Sequence, residues 1–428
     1  MIPRRILRGM CTAAHSLLML VSLATAGIAA PAAKDVLKTY ADIAHAGYED
    51  SLVTARTMQS AIATFLAKPN GQTLLAARAA WIAAREPYQQ TEAYRFGNPV
   101  VDDWEGKVNA WPLDEGLIDY VSKNYGEESP HNALYTANVI ASKTIKISGR
   151  EVNAGKITKS LLTKVLHEAG EIEANVATGY HAIEFLLWGQ DTNGTGPGAG
   201  NRPASDFDTA HCTNRNCDRR ADYLRVVTEL LIDELEWITA QWAEGGDARK
   251  ELLSGSPDAG LVRIFTGLGS LSYGELAGER MKLGLLIHDP EEEHDCFSDN
   301  THNSHYYDAL GMRNVYVGRY RRVDGSIVSG PSPSDLVKAK AAATDEALRA
   351  SFDKTLAAMS AIVHRAERIE SYDQMIGEGN DEGNAVVETA IGALLAQTKD
   401  IERAVAALEL KPITFEGSDS LDAPDKAK

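Results

Sequence analysis

The chain has 428 residues and a formal net charge of −17, with 60 Asp and Glu against 43 Lys and Arg. That length is enough for two domains with cores of their own. The acidity argues against nucleic acid or anionic lipid as a partner and suits a protein that meets cations.

The first 30 residues read as a cleaved secretory signal. Arg4, Arg5 and Arg8 give a basic start, SLLMLVSLATAGIAA an apolar core, and Ala24, Ala26, Ala29 and Ala30 the small residues near a cleavage site. A membrane anchor is the alternative, but the apolar run is short for a span and is broken by Ser, Thr and Gly. Cys11 precedes the apolar core and is expected to leave with it. The mature chain then carries a charge of about −20.

Residues 35–97 are Ala-rich and nearly free of Gly and Pro, which predicts long helices. Trp81, Arg85, Tyr88, Glu92 and Phe96 share one helical stripe, the kind that faces a core. Glu92 then pairs with Arg85, joins a helix-surface network, or points into a polar pocket. WPLDEGLIDY, 111–120, breaks the helical pattern at Pro112 and Gly116, and TIKISGREVN, 144–153, predicts a hairpin turning at Ser148-Gly149. A helix is predicted from about 157 to 189, interrupted by Gly179. A glycine there costs about 1 kcal/mol against Ala, so it implies close approach of another backbone or a ligand.

Residues 190–220 are rich in Gly, Pro, Asn and Asp, and 196–220 reads as a linker between domains. Cys212 and Cys217 lie close together in this polar loop. A disulfide between them is expected in an oxidising compartment, with a bridge to Cys296 as the rival. Helical periodicity returns over 223–242, 260–288 and 334–409. The segment 314–330 predicts a second hairpin at Asp324-Gly325. Both halves thus order helices, a hairpin and more helices, as an internal duplication would. The expected fold is all-α: two helical-bundle domains, 35–195 and 221–411, with short β-hairpins and a loose polar tail over 412–428.

The chemistry concentrates in ATGYHAIEFLLWGQD, 177–191. His181 and Glu184 lie three apart, on one face of a helix that is otherwise apolar nearly all round. Burying an imidazole and a carboxylate together is costly unless something pairs them. Metal sites in helical bundles use this spacing, and a hydrogen-bonded structural pair is the plainer reading. HExxH is absent. HEAGE, 167–171, has Glu171 where the second His would stand, and reads as a solvated turn. GxSxG, a Walker loop and paired CxxC motifs are absent too. A second dense stretch, HDPEEEHDCFSDNTHNSH (288–305), offers His294, Asp299 and His302 among other oxygen and imidazole donors. Phe297 and Cys296 within it point to an ordered segment. Glu275 and Glu279, one turn apart just before it, read as structural or supporting residues.

GYHAIEFLLWGQD resembles the GxHxxE signature of the imelysin family. RAAWIAAREPYQQTEAYRFG, WPLDEGLIDY, GELAGERM and EEEHDCFSDNTH are similar to its insulin-cleaving-protease and iron-regulated-protein-A branch. The resemblance covers essentially the whole mature chain. It implies two four-helix-bundle-like domains, export to the periplasm or outer surface, and a metallopeptidase classification with iron uptake as the commoner setting. The motif falls on Gly179, His181 and Glu184, and Tyr88 and Glu92 match polar positions expected to face the same cleft.

The leading expectation is an exported iron-binding protein. Its metal is held by His181, Glu184 and Glu92, supported by Tyr88, Arg85 and Gly179, with Glu279, His294, Asp299 and His302 as further candidates. It would work with an iron-uptake partner at the inner or outer membrane. The alternatives are a zinc metallopeptidase using the same residues and a haem- or protein-interaction module without its own metal.

Overall fold

The computed structural model describes Met1 and residues 30–427. Residues 2–29 of the expected signal segment, Cys11 included, lie outside the described residues. The chain is 63% helical with two short antiparallel strand pairs, as the periodicity predicts. Among the described residues no helix is long and apolar enough to cross a membrane.

Helix α1 (Ala33–Ala67) packs against α2 (Gly71–Gln89). Asn70 starts α2 with a reciprocal cap: its side chain accepts from the Gln72 and Thr73 amides, and Thr73 bonds back to the Asn70 amide. Helix α3 (Pro99–Asn109) and hairpin β1–β2 (Thr144–Ile147, Arg150–Asn153) follow. The hairpin turns at Ser148 and Gly149, both at positive φ (49° and 79°), as a tight two-residue turn requires. Helix α4 (Gly179–Trp188) and helix α5 (Cys217–Trp242) complete the first bundle, and α5 lies along α1 and α4.

The second bundle begins with α6 (Pro257–Ser270), which continues as a π-helical stretch, Leu271–Lys282, and a last turn, Leu283–Ile287. Helix α7 (Thr301–Val317), hairpin β3–β4 (Arg319–Arg321, Ile327–Ser329), α8 (Ala342–Arg368) and α9 (Asp381–Ala407) follow. Each bundle carries one hairpin within its run of helices. The bundles meet where α2 packs on α7 and α1 on α6. Buried Asp50 of α1 pins the second hairpin across that seam: it accepts from the Tyr320 hydroxyl at 2.9 Å, the Arg322 guanidinium at 2.7 and 3.0 Å, and the Val323 amide at 3.0 Å.

Several boundaries differ from the sequence reading. The loop 196–220 does not separate the bundles, because α5 returns to the first one. The short helix Asp247–Ser254 that follows still packs on α5 and α1. Cys212 and Cys217 are bridged within that loop, and Cys296 is free. The tail from 412 is not loose: Ile413, Phe415 and Leu421 pack on the core, and the Ser420 hydroxyl donates to the Gly278 carbonyl at 3.0 Å. Its few apolar residues find a face along the π-helical stretch, which average polarity hid.

The helix expected over 157–189 is two separate pieces. One runs from Lys159 to Leu166. The chain then reverses through HEAGE, with Glu168, Gly170 and Glu171 at positive φ, before α4 begins at Gly179. Gly179 has φ +85°, and a Cβ there would stand 2.5 Å from the Val108 carbonyl oxygen. The glycine therefore starts the motif helix and lets α3 approach it. Gly179→Ala should lower stability in chemical denaturation by at least about 2 kcal/mol, strain and clash together. Gly149→Ala, with positive φ but open space around it, should cost only about 1 kcal/mol.

Candidate metal centre

All ten residues of α4 are buried, as its apolar character demands. His181 Nδ1 lies 3.0 Å from Glu184 Oε2. The other Glu184 oxygen accepts from the Ser298 amide at 3.0 Å and the Ser298 hydroxyl at 2.7 Å. Both carboxylate oxygens are thus engaged, while His181 Nε2 is buried without a partner. Glu184 orients the ring, and the free nitrogen is the one available to a ligand.

The loop between the π-helical stretch and α7 closes over this face. It brings His294 and Asp295 to His181, and one donor atom from each of the three lies within 4.8 Å of the others. Asp295 Oδ1 is 3.9 Å from His181 Nδ1 and 3.7 Å from His294 Nδ1. The two rings meet edge to face at 4.8 Å. Asp295 is fixed from behind: Ser304 Oγ and Asn300 Nδ2 donate to Oδ2 at 2.5 and 2.9 Å, and the Asp295 amide donates to Thr301.

Arg85 of α2 supplies the counter-charge. Its Nη2 donates to Asp295 Oδ1 at 3.0 Å and lies 3.4 Å from His294 Nδ1, and its Nη1 donates to Asn109 at 2.7 Å. Its guanidinium stands 5.0 Å from the Tyr180 ring centre and 5.6 Å from those of Trp81 and Tyr88. A cation entering the cluster has to share Asp295 with this guanidinium.

Burial, then the Arg85 charge, pushes His181 down to about 3. Burial and the Arg280 charge hold His294 well below its usual range, and burial takes His305 to about 3. Burial works to raise Asp295, but Arg85, His181 and the Ser304 and Asn300 hydrogen bonds together outweigh it and keep the group below the usual carboxylate range. Burial, then the Asp295 charge, drives Glu184 well up. The cluster therefore presents two neutral imidazoles and one anionic carboxylate, the forms that bind metal.

The other residues singled out in the sequence are dispersed. Glu92 is not in this group: α2 ends at Gln89, and Glu92, in a short turn beyond it, ion-pairs with Arg280 at 2.6 Å. Arg85 and Glu92 do not pair with each other. Tyr88 is buried beside Tyr180, with its hydroxyl unpartnered. Glu275 pairs with Arg280 at 2.7 Å and Arg95 at 3.3 Å. Glu279 is half-buried on the π-helical stretch and joins neither group of potential metal ligands. His302 is half-buried outside both groups, its Nδ1 unpartnered. Asp299 joins a separate carboxylate group. Asp295, one of the oxygen donors of the 288–305 stretch but not singled out there, completes the group. Its signal was the His-Asp pair inside a polar stretch that also holds Cys296 and Phe297.

A cavity of about 500 Å³ opens beside the cluster, lined in part by Asp114, Glu115, Asp191, Glu291 and Trp111. The Trp111 ring stands 5.7 Å from that of His294, so the acidic mouth and the buried cluster share a wall.

Fold and site together define a two-bundle helical protein with an imidazole–carboxylate cluster buried at the seam. The sequence profile of the imelysin family, peptidase M75, matches residues 44–401, and the chain belongs to that family. It is 36% identical over 64 residues to iron-regulated protein A of Synechococcus elongatus, a match spanning 15% of this chain and 18% of that protein. Two crystal structures have the same fold. A putative iron-regulated protein A precursor from Parabacteroides distasonis superimposes with TM-score 0.62 at 18% identity, over 89% of this chain and 96% of that one. An imelysin-like protein from Psychrobacter arcticum gives 0.56 at 13% identity, over 90% and 100%.

The neutral buried imidazoles predict an acid dependence. Between pH about 6.5 and 3 the unfolded chain takes up protons that His181, His294 and His305 refuse in the fold. Glu184 and Asp308, shifted upward, act oppositely, but only above about pH 4, where their unfolded forms ionise. Below that they no longer oppose the imidazoles, and Asp295, held below its usual range, adds a loss of the same sign. Urea midpoints measured from pH 4 to 3 should record a loss of about 1.4 kcal/mol per pH unit for each imidazole. A flat profile would show that the rings are charged in the fold.

Proposed function

We propose that this protein binds a transition-metal ion, iron, as cargo at His181, His294 and Asp295, and that it acts as an exported carrier in iron uptake. The observation that carries the reading is the unpartnered, buried His181 Nε2 in a ring oriented by Glu184, beside a second neutral imidazole and an ionised carboxylate. A nitrogen and oxygen donor set of this kind suits iron or zinc. The name of the Synechococcus relative favours iron, and the mouth offers carboxyl oxygens at the entrance. Export rests on the segment 1–30 and on the family; delivery to a membrane iron-uptake partner follows from the same reading.

The zinc-peptidase alternative needs an open coordination position and a carboxylate free to activate water. Here His181, His294 and Asp295 are almost completely buried, and both Glu184 oxygens are engaged. A peptide has no access to such a centre, which favours cargo over catalysis.

Metal analysis of untagged protein should find iron. His181→Ala and His294→Ala should each abolish stoichiometric binding. Glu184→Gln, which removes an orienting partner, should weaken affinity about 10- to 100-fold without abolishing it, and Glu92→Gln should leave the metal content unchanged. Stoichiometric metal retained in both His variants would overturn the assignment. Zinc with chelator-sensitive cleavage of a denatured substrate would favour the peptidase.

A further inference from the structure

The iron-carrier reading leaves three carboxylates unused beside the first cluster. Glu293 comes from the loop that also carries His294 and Asp295, and Asp299 from the end of that loop. Asp373 comes from a short helix, Tyr372–Ile376, between α8 and α9. One oxygen from each lies within 4.8 Å of the others. Glu293 is 1% exposed and Asp373 fully buried. Among the described residues none of the three makes an ion pair with Lys, Arg or His, the nearest analogue of Asp295's bond to Arg85 being absent. Glu293 Oε2, Asp299 Oδ1 and Asp373 Oδ2 all lack a hydrogen-bond partner. The donors on the group are neutral: the Ser371 hydroxyl, bonded to Asp373 Oδ1 and also facing Asp299, and the Gln374 amide on Asp373.

Buried carboxylates are normally paired, hydrogen-bonded or bound to a metal. These three converge with an unpartnered oxygen each, and two of them are inaccessible to bulk water. We infer that Glu293, Asp299 and Asp373 form a second cation site, specific for a hard divalent ion of the calcium type. The donors are all oxygens, with no imidazole or thiolate to favour iron or zinc. Three carboxylates offer up to six oxygens, and Ca²⁺ takes six to eight at about 2.3–2.6 Å in loose geometry. Mg²⁺ is a poorer fit, because it demands a tighter octahedron and keeps its waters. The ion would tie the loop bearing His294 and Asp295 to the helix that follows α8. It would do so without touching either residue.

Calorimetric titration of the chelator-stripped full chain with Ca²⁺ at neutral pH tests this. The wild type should bind one Ca²⁺, and Glu293→Gln and Asp373→Asn should each weaken that binding at least tenfold. Asp299→Asn, at a half-buried position, should do the same and keeps the test decisive if either buried change fails to fold. His181→Ala should bind Ca²⁺ like the wild type, which separates this site from the first. Wild-type protein that takes up no Ca²⁺ at millimolar concentration holds protons on these carboxyls instead, and overturns the inference. So does Ca²⁺ binding that Asp299→Asn leaves unchanged.

Discussion

The Arg85–Asp295 pair is the contact on which both fold and site depend. Taking a guanidinium and a carboxylate out of water costs several kcal/mol for each ion, and their attraction recovers this only if the remaining polar atoms are satisfied. Asp295 meets that condition through Ser304 and Asn300, and Arg85 through Asn109 and three aromatic faces. Arg85 belongs to the second helix of the first bundle, Asp295 to the loop leading into the second helix of the other. The pair therefore docks the bundles and sets the loop that carries His294. Removing either partner leaves an uncompensated buried charge at the seam, so site geometry and bundle packing are lost together.

A second buried cation extends the same logic. Arg280 meets Glu92 at 2.6 Å, Glu275 at 2.7 Å and Asp308 at 3.0 Å. More carboxyls than guanidiniums crowd this region. The excess shows in Glu105, pushed up to about 7 first by burial, against the pull of Arg95, and in Asp308, which burial drives well above its usual range. Arg280 in turn helps keep His294 and His305 neutral. The electrostatics of the imidazole–carboxylate cluster are thus set partly by Arg280, which makes no hydrogen bond to either ring.

What the sequence made legible was local. The apolar ring around His181 and Glu184 announced a buried helix, and turn chemistry at Ser148-Gly149 and Asp324-Gly325 placed both hairpins. The polar loop placed the Cys212–Cys217 bridge. What it hid was long-range. His294 and Asp295 reach His181 across more than a hundred residues, and no periodicity encodes that meeting. Glu92 shares a stripe with Arg85 on paper, but α2 ends at Gln89, and the turn beyond redirects Glu92 to Arg280 in the other bundle. The 196–220 loop has linker composition, yet it spans two helices of one bundle. Gly179 announced a close approach but not that the helix begins there.

Glu184 shows why the GxHxxE spacing need not mean two ligands from one helix. A carboxylate three residues after an imidazole can reach the metal, or it can reach the ring. Here it reaches the ring, and Ser298 holds its other oxygen. A neutral imidazole whose Nδ1–H is donated to a carboxylate presents Nε2 as a stronger base. The fold gains from that choice: the acid that burial would leave stranded gains partners, and the ring is held in one orientation. The other two donors of the candidate centre, His294 and Asp295, then come from elsewhere in the chain. That makes the centre dependent on the two bundles closing, and assembly of the fold becomes the step that completes the site.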